Sequence, residues 1–169
     1  MILKILKYPD PVLTQPGEPV TEFNAELRKL VADMFETTYA SQGIGLAAPQ
    51  VGVSKRLTVI DLSMGKNPAD KIVLINPEII SSEGKLYEEE GCLSFPDIRE
   101  KVVRSAKVSI RAQDERGKWF ETDAEELLSR CFQHEIDHLN GILFLFRMSA
   151  LKRSLNLRKI RKMQAEGQW

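Results

Sequence analysis

The feature that most constrains this chain is the stretch from Gln133 to Leu139, which has the pattern H-E-x-x-H inside an apolar segment of helical length. Residues four apart on a helix lie one turn above each other, so His134 and His138 can offer their imidazoles to one metal ion. Glu135 lies about 100° around the helix from His134, where its carboxylate can hydrogen-bond a water held by the metal. The pattern therefore indicates hydrolysis by a metal-activated water, with Glu135 taking and returning the proton.

The alternative is an amphipathic helix that contains two histidines by chance. The chain has only 2 histidines, and both lie in this pattern. This coincidence favours a site, although H-E-x-x-H alone has a real false-positive rate.

A catalytic metal of this kind needs a third protein ligand. In zinc peptidases with this pattern the third ligand normally lies downstream, yet no histidine follows His138 and the one later carboxylate is Glu166. Cys131 shares the helix face with the histidines, but the metal would lie about 7.5 Å further along the helix axis, beyond its reach. Cys92, in a glycine-flanked upstream segment, is left as the candidate. A thiolate with two imidazoles suits iron or zinc.

Size and composition predict a single domain over residues 1–169, because 169 residues can bury a substantial core. The 24 basic side chains balance 24 acidic ones, so no overall field attracts DNA or a membrane. The longest apolar run near the end, Ile142–Phe146, is far shorter than the ~20 residues of a membrane span. The first ten residues do not match a signal or transit peptide. Two cysteines form no disulfide framework, so we expect a cytoplasmic protein with reduced thiols.

Hydrophobic spacing predicts three helices and an antiparallel sheet. One helix is expected over residues 25–41 after an Asn24 cap, and a basic amphipathic one follows a Ser149 cap. The motif helix is predicted to begin near Asp123, with Glu126 in capping-box register, and to end at Asn140. Strands are predicted over residues 56–62, 71–80, 102–113 and 118–122.

Two segments have a structural and a functional interpretation. The stretch 43–52 is small and apolar, and Gln50 is its one side chain that can both donate and accept hydrogen bonds. Taken alone it is most simply a tight turn between helix and strand. The acidic run Glu88–Glu90 is typical of a solvated edge, and the adjacent Cys92 would ordinarily be a small buried hydrophobe.

Three segments together resemble, in order and spacing, the signature motifs of peptide deformylases: residues 43–50, 90–94 and 133–138. The resemblance implies an α+β fold, with antiparallel β-sheets packed around a buried central helix that contains H-E-x-x-H, plus a C-terminal helix. It implies removal of the formyl group from N-formylmethionyl ends of nascent polypeptides, with release of formate. The basic C-terminal helix is similar to that of the Gram-negative-type enzymes.

The resemblance also implies roles for individual residues. Cys92, His134 and His138 would bind one divalent metal, natively Fe(II), with Zn(II) or Ni(II) as substitutes, and Glu135 would be general base and acid. Gln50 and the backbone N–H of Leu93 would bind the formyl oxygen, and Gly45 would align the substrate backbone. The pocket for the methionine side chain would be formed by Ile44, Leu127 and Cys131. Glu88 and Arg130 replace aliphatic residues of some relatives, which predicts a more polar pocket rim.

Two other functions compete with deformylation. The first is a metallopeptidase or other amidohydrolase with the same ligands. The second is a ribosome- or RNA-binding protein with a structural metal, but structural sites use four protein ligands whereas this chain offers three. The tail from residue 147 has seven lysines and arginines against one acid, so we expect it to dock the enzyme on the ribosome.

Overall fold

The computed structural model describes all of residues 1–169 and contains three α-helices: α1 (Ala25–Ala40), α2 (Glu126–Leu139) and α3 (Ala150–Ala165). The side chain of Asn24 accepts the N–H of Leu27 and caps α1. Ser149 caps α3 in the same way by accepting the N–H of Lys152. Both predicted caps are confirmed. None of the three helices combines the length and apolar character that a bilayer-spanning helix needs.

Seven strands form two antiparallel sheets. The strands are β1 (Gly45–Ala47), β2 (Leu57–Ile60), β3 (Ile72–Glu83), β4 (Leu86–Cys92), β5 (Phe95–Arg104), β6 (Lys107–Gln113) and β7 (Trp119–Glu125). The larger sheet has the order β1-β2-β3-β6-β7, and β4 pairs with β5 in a separate hairpin. The expected α+β class with antiparallel sheets is confirmed.

The strand predicted over residues 102–113 is wrong in one respect, because it is two strands in two different sheets. The break falls at Ser105, whose N–H donates to the Gln133 side chain at 2.9 Å. The carbonyl of Ser105 accepts the hydroxyl of Ser129 and the amide of Gln133, both at 2.9 Å. Side chains of α2 therefore satisfy this backbone and end the strand pairing there.

The predicted start of the motif helix near Asp123 is also wrong. Pairing between β6 and β7 continues to Glu125, opposite Lys107, which keeps the backbone extended. Asp123 accepts a hydrogen bond from the Ser109 hydroxyl across the strands at 2.5 Å instead of capping a helix. The helix begins at Glu126 without a side-chain cap. Its predicted end is confirmed, because Leu139 is its last residue and Asn140 its C-cap.

Helix α2 lies between the two sheets. Its apolar side chains Phe132 and Ile136 pack with Ile60, Leu74 and Ile110 of the larger sheet. The hairpin side of the helix faces a second buried cluster, with Phe95, Ile98 and Phe144 among its members. A helix enclosed in this way must satisfy any polar group that it presents to the interior. Five of its polar residues are nevertheless buried: Ser129, His134, Glu135, Asp137 and His138.

Candidate metal centre

The two histidines of α2 point into the same space. Their Nε2 atoms lie 3.2 Å apart, with the rings tilted by 68°. His138 is 1% exposed and His134 is 9% exposed. This is the juxtaposition expected of residues four apart on one helix.

Cys92, at the end of β4, completes the group. Its Sγ lies 3.4 Å from His138 Nε2, and one ligand atom from each of Cys92, His134 and His138 lies within 4.8 Å of the others. The second cysteine, Cys131, is not part of this group. Burial raises the pKa of its thiol to about 12, which keeps it protonated.

The donor set fits a divalent cation. Two imidazole nitrogens and a sulfur converge from two elements, and each is a recognised ligand of first-row metals. Hydrogen bonding uses this convergence only in part, because two neutral imidazoles that face each other through Nε2 form at most one hydrogen bond, and His138 Nδ1 is buried without a partner. A divalent metal ion would accept the lone pairs of both imidazoles and of the sulfur at the same time.

Glu90 contacts His134 at the ring nitrogen that faces away from the candidate metal centre. This role of Glu90 was not predicted from the sequence. Its Oε2 lies 3.0 Å from His134 Nδ1, which leaves Nε2 free for a metal. Burial opposes ionisation, but hydrogen bonds from His134 and Arg104 prevail and lower the pKa of Glu90 to about 2. The solvated edge predicted for the acidic run is correct for Glu88 and Glu89, which are exposed, and wrong for Glu90, which is buried.

The carboxylate of Glu90 is the start of a buried ion network. Arg104 donates to both its oxygens, at 2.8 and 3.1 Å, and to Asp137 at 2.6 Å. Asp137 in turn accepts two hydrogen bonds from Arg147, at 3.0 and 2.9 Å. The network connects β4, β5 and α2 with the segment after α2. It therefore fixes the relative position of the elements that provide Cys92 and the histidines.

Glu135 lies on the neighbouring side of α2 and is 5% exposed. Its Oε2 accepts a hydrogen bond from the Thr58 hydroxyl at 3.2 Å. Burial raises the pKa of Glu135 to about 7, against the opposing effects of His134 and Thr58. A Cβ added at Gly45 would lie 3.0 Å from Glu135 Oε1, so glycine leaves room in front of this carboxylate.

Gln50 is 1% exposed and its amide is oriented by two contacts. Its Oε1 accepts the N–H of Ala47 at 2.9 Å, and its Nε2 donates to the Ser94 hydroxyl at 3.1 Å. The same Nε2 lies 3.6 Å from Cys92 Sγ. The donor end of the amide therefore points to the candidate metal centre. The segment predicted as a simple turn is a short strand, β1, followed by a 3₁₀ helix over Ala48–Val51.

A cavity of about 660 Å³ opens beside these groups. All predicted site residues except His138 line it: Ile44, Gly45, Gln50, Cys92, Leu93, Leu127, Cys131, His134 and Glu135. Arg130 also lines the cavity, but Glu88 does not, so the expectation that Glu88 makes the rim more polar is wrong. Glu89 and Glu90, the next two residues of β4, line the cavity instead.

Comparisons with known proteins agree on one family. A family model described as polypeptide deformylase matches residues 2–154. A peptide deformylase from Acidobacterium capsulatum is 73% identical over 169 residues, which is 100% of this chain and 99% of that protein.

Solved structures are similar over the same length. The crystal structure of a peptide deformylase from Legionella pneumophila has a TM-score of 0.90 and 49% identity, covering 98% of both chains. A peptide deformylase from Synechococcus elongatus in complex with actinonin has a TM-score of 0.89 and 43% identity, covering 93% of this chain and 86% of that chain.

Proposed function

This chain belongs to the polypeptide deformylase family, and we propose that Cys92, His134 and His138 hold its metal ion while Glu135 moves the proton. The chain is a peptide deformylase, which removes the formyl group from N-formylmethionyl ends of new polypeptides and releases formate. The observation that supports the residue roles best is the convergence of three ligand atoms within 4.8 Å, next to a buried carboxylate in the cavity.

The metal that we propose is Fe(II), with Zn(II) or Ni(II) able to replace it. One thiolate and two imidazoles are soft enough for all three ions. Cys92, His134 and His138 would hold such an ion, which would supply a Lewis acid that lowers the pKa of a water and polarises a carbonyl. The metal content of anaerobically purified protein tests this identity.

Glu135 is the group that takes a proton from the attacking water and returns it to the leaving amine. A general base works best when its pKa is near the operating pH, and burial raises the pKa of Glu135 to about 7. The hydrogen bond from Thr58 at 3.2 Å orients one carboxylate oxygen. The other oxygen faces the open space in front of Gly45.

Gln50 and Leu93 stabilise the negative charge that develops on the formyl oxygen. The Gln50 amide N–H₂ group points to the centre from the Ser94 side. The N–H of Leu93, in the turn between β4 and β5, makes no backbone hydrogen bond and is available to a substrate. One such donor is commonly worth about 3 kcal/mol of transition-state stabilisation.

The methionine side chain of the substrate enters the cavity between Ile44, Leu127 and Cys131. These residues are apolar or, in the case of Cys131, held neutral by a pKa of about 12. Gly45 begins β1, an edge strand of the larger sheet, so its open edge can align an extended peptide backbone. A substrate bound in this way would have its formyl group next to Glu135.

A peptide assay tests the proposal. The protein should release formate from an N-formylmethionyl peptide and leave the corresponding N-acetylated peptide intact, because the extra methyl group would crowd the space that Gly45 leaves beside Glu135. The competing metallopeptidase function predicts internal peptide fragments without formate. That result would contradict the proposed reaction.

We also propose that α3 docks the enzyme on the ribosome. Four of the seven basic residues of the tail are already engaged within the protein: Arg147, Lys152, Arg153 and Lys159. Arg158, Arg161 and Lys162 are exposed and form no ion pair or hydrogen bond through their side chains. These three side chains are free to contact ribosomal phosphates.

Co-sedimentation with ribosomes tests the docking. The triple variant Arg158→Glu, Arg161→Glu and Lys162→Glu should pellet much less than wild type at low salt, because phosphate contacts are strongly salt-dependent. The matched control is Lys118→Glu, an exposed basic residue in the turn before β7. Equal co-sedimentation of the triple variant and the wild type would contradict the docking.

A further inference from the structure

The segment Leu6–Tyr8, which we name the strap, connects the two sides of the site. The N–H of Leu6 donates to the carbonyl of Gln50 at 2.7 Å. The N–H of Tyr8 donates to the carbonyl of Ser94 at 3.0 Å. The strap therefore joins the backbone of Gln50 to the turn that follows Cys92, through two hydrogen bonds that belong to neither sheet.

Trp169, beyond the end of α3, contacts the strap through a hydrogen bond and, by way of Phe95, through ring packing. Its indole Nε1–H donates to the carbonyl of Tyr8 at 2.5 Å. Its ring lies edge-on to Phe95 with a centroid distance of 6.3 Å, and Tyr8 stacks on the same Phe95 at 5.1 Å. Phe95 is 1% exposed and lines the cavity. Residue 169 lies outside the part of the chain matched by the family model.

These contacts connect Trp169 with the side-chain amide of Gln50, the proposed hydrogen-bond donor to the formyl oxygen. From Trp169 the path runs through Tyr8 to the Ser94 backbone, and the Ser94 hydroxyl accepts the Gln50 amide at 3.1 Å. The strap returns to Gln50 through Leu6. Gln50 is thus held at its carbonyl and at its side chain by groups that the strap positions.

We propose that Trp169 is a positioning residue for deformylation, which acts through the strap on Gln50. Trp169 does not line the cavity. It holds Tyr8 and Phe95 so that the Gln50 amide stays aimed at the developing charge on the formyl oxygen. This inference rests on the proposed role of Gln50.

The expected kinetic signature is a loss of kcat with little change in KM. An oxyanion donor acts in the transition state more than in the ground state, so its misplacement lowers kcat. A displacement of about 1 Å can cost about 100-fold in rate. We expect Trp169→Ala, which loosens the strap without removing it, to lower kcat about tenfold.

The variants separate the hydrogen bond from the packing. Trp169→Phe keeps a ring against Phe95 but loses the indole N–H, and we expect its kcat to fall about threefold. The matched control is Gln168→Ala, because Gln168 is exposed and its side chain makes no hydrogen bond. Metal content is measured for every variant and should equal that of wild type.

A double-mutant cycle tests whether Trp169 acts through Gln50. In the Gln50→Ala background, Trp169→Ala should lower kcat no further, because the group that it positions is gone. If the two losses instead multiply, Trp169 acts independently of Gln50 and the proposal is overturned. It is overturned as well if both Trp169 variants keep wild-type kcat, or if their loss of kcat follows a loss of metal.

The same set of proteins distinguishes this failure from a failure of the proposed function. If Gln50→Ala alone keeps wild-type kcat, the proposed role of Gln50 is wrong. The inference about Trp169, which rests on that role, is then wrong as well. If Gln50→Ala is impaired while Trp169→Ala and Trp169→Phe are not, the role of Gln50 stands and only the inference about Trp169 fails.

Discussion

Replacing Arg104 by leucine should destabilise the protein strongly. The guanidinium side chain is 3% exposed and forms three hydrogen bonds to carboxylates, two to Glu90 and one to Asp137. Leucine fills part of the volume, but Glu90 and Asp137 stay buried and each loses a cationic hydrogen-bond partner. Breaking a buried ion pair from one side costs about 3–5 kcal/mol.

The remaining contacts place the expected loss at the lower end of that range. Glu90 keeps His134, and Asp137 keeps Arg147. We therefore expect a loss of about 3 kcal/mol in the free energy of unfolding, which is a large share of the 5–15 kcal/mol typical of a folded domain. Because Glu90 also orients His134, metal affinity should fall about 10- to 100-fold.

Urea unfolding measures the loss, and it should be followed both with saturating metal and with chelator. Bound metal adds its own stabilisation to the native state. The difference in unfolding free energy between wild type and variant, measured with chelator present, therefore reports the ion network alone. The matched control is Arg99→Leu in the same strand β5, because Arg99 and its partner Glu89 are 62% and 56% exposed. Exposed pairs are worth at most about 1 kcal/mol. A loss below about 1 kcal/mol for Arg104→Leu would mean that this buried network contributes no more than an exposed ion pair.

Three further predictions concern the site. Glu135→Gln should keep its metal and lose about 100- to 10,000-fold in kcat, the usual contribution of a general base; metal loss, measured by elemental analysis, would mean that Glu135 is misassigned. Cys131 should resist alkylation in the folded protein near pH 8, because its pKa of about 12 leaves about one thiolate in 10,000, and Cys131→Ser should keep the metal that Cys92→Ser loses. Glu90 ionises more readily in the folded than in the unfolded chain, so its stabilisation of about 3 kcal/mol, present above pH 4.5, should disappear as the pH falls to about 2. Urea unfolding of Glu90→Gln should lack this pH dependence.

Features that depend on neighbours in the chain were predictable from the sequence. The convergence of His134 and His138 follows from helical geometry alone. The caps at Asn24 and Ser149 are local hydrogen bonds between a side chain and the backbone three residues later. Cys92 was reached because few other soft ligands exist in the chain.

Features that depend on distant partners were not predictable. Glu90 is indistinguishable from Glu88 and Glu89 in sequence, and only the approach of Arg104 and His134 makes its burial possible. The strand break at Ser105 depends on side chains of α2, about 24 residues later in the chain. Hydrophobic periodicity predicts none of these contacts, because it identifies the apolar face of a helix or strand but not the residues that pack against that face.

We propose that one cysteine and two histidines hold a single divalent metal and leave room for water and substrate. An anomalous difference map from a crystal of anaerobically purified protein tests it most directly. We expect one peak, about 2.3 Å from Cys92 Sγ and about 2.1 Å from the Nε2 atoms of His134 and His138, with no fourth protein ligand. A peak elsewhere, or a further protein atom in the coordination sphere, would contradict it.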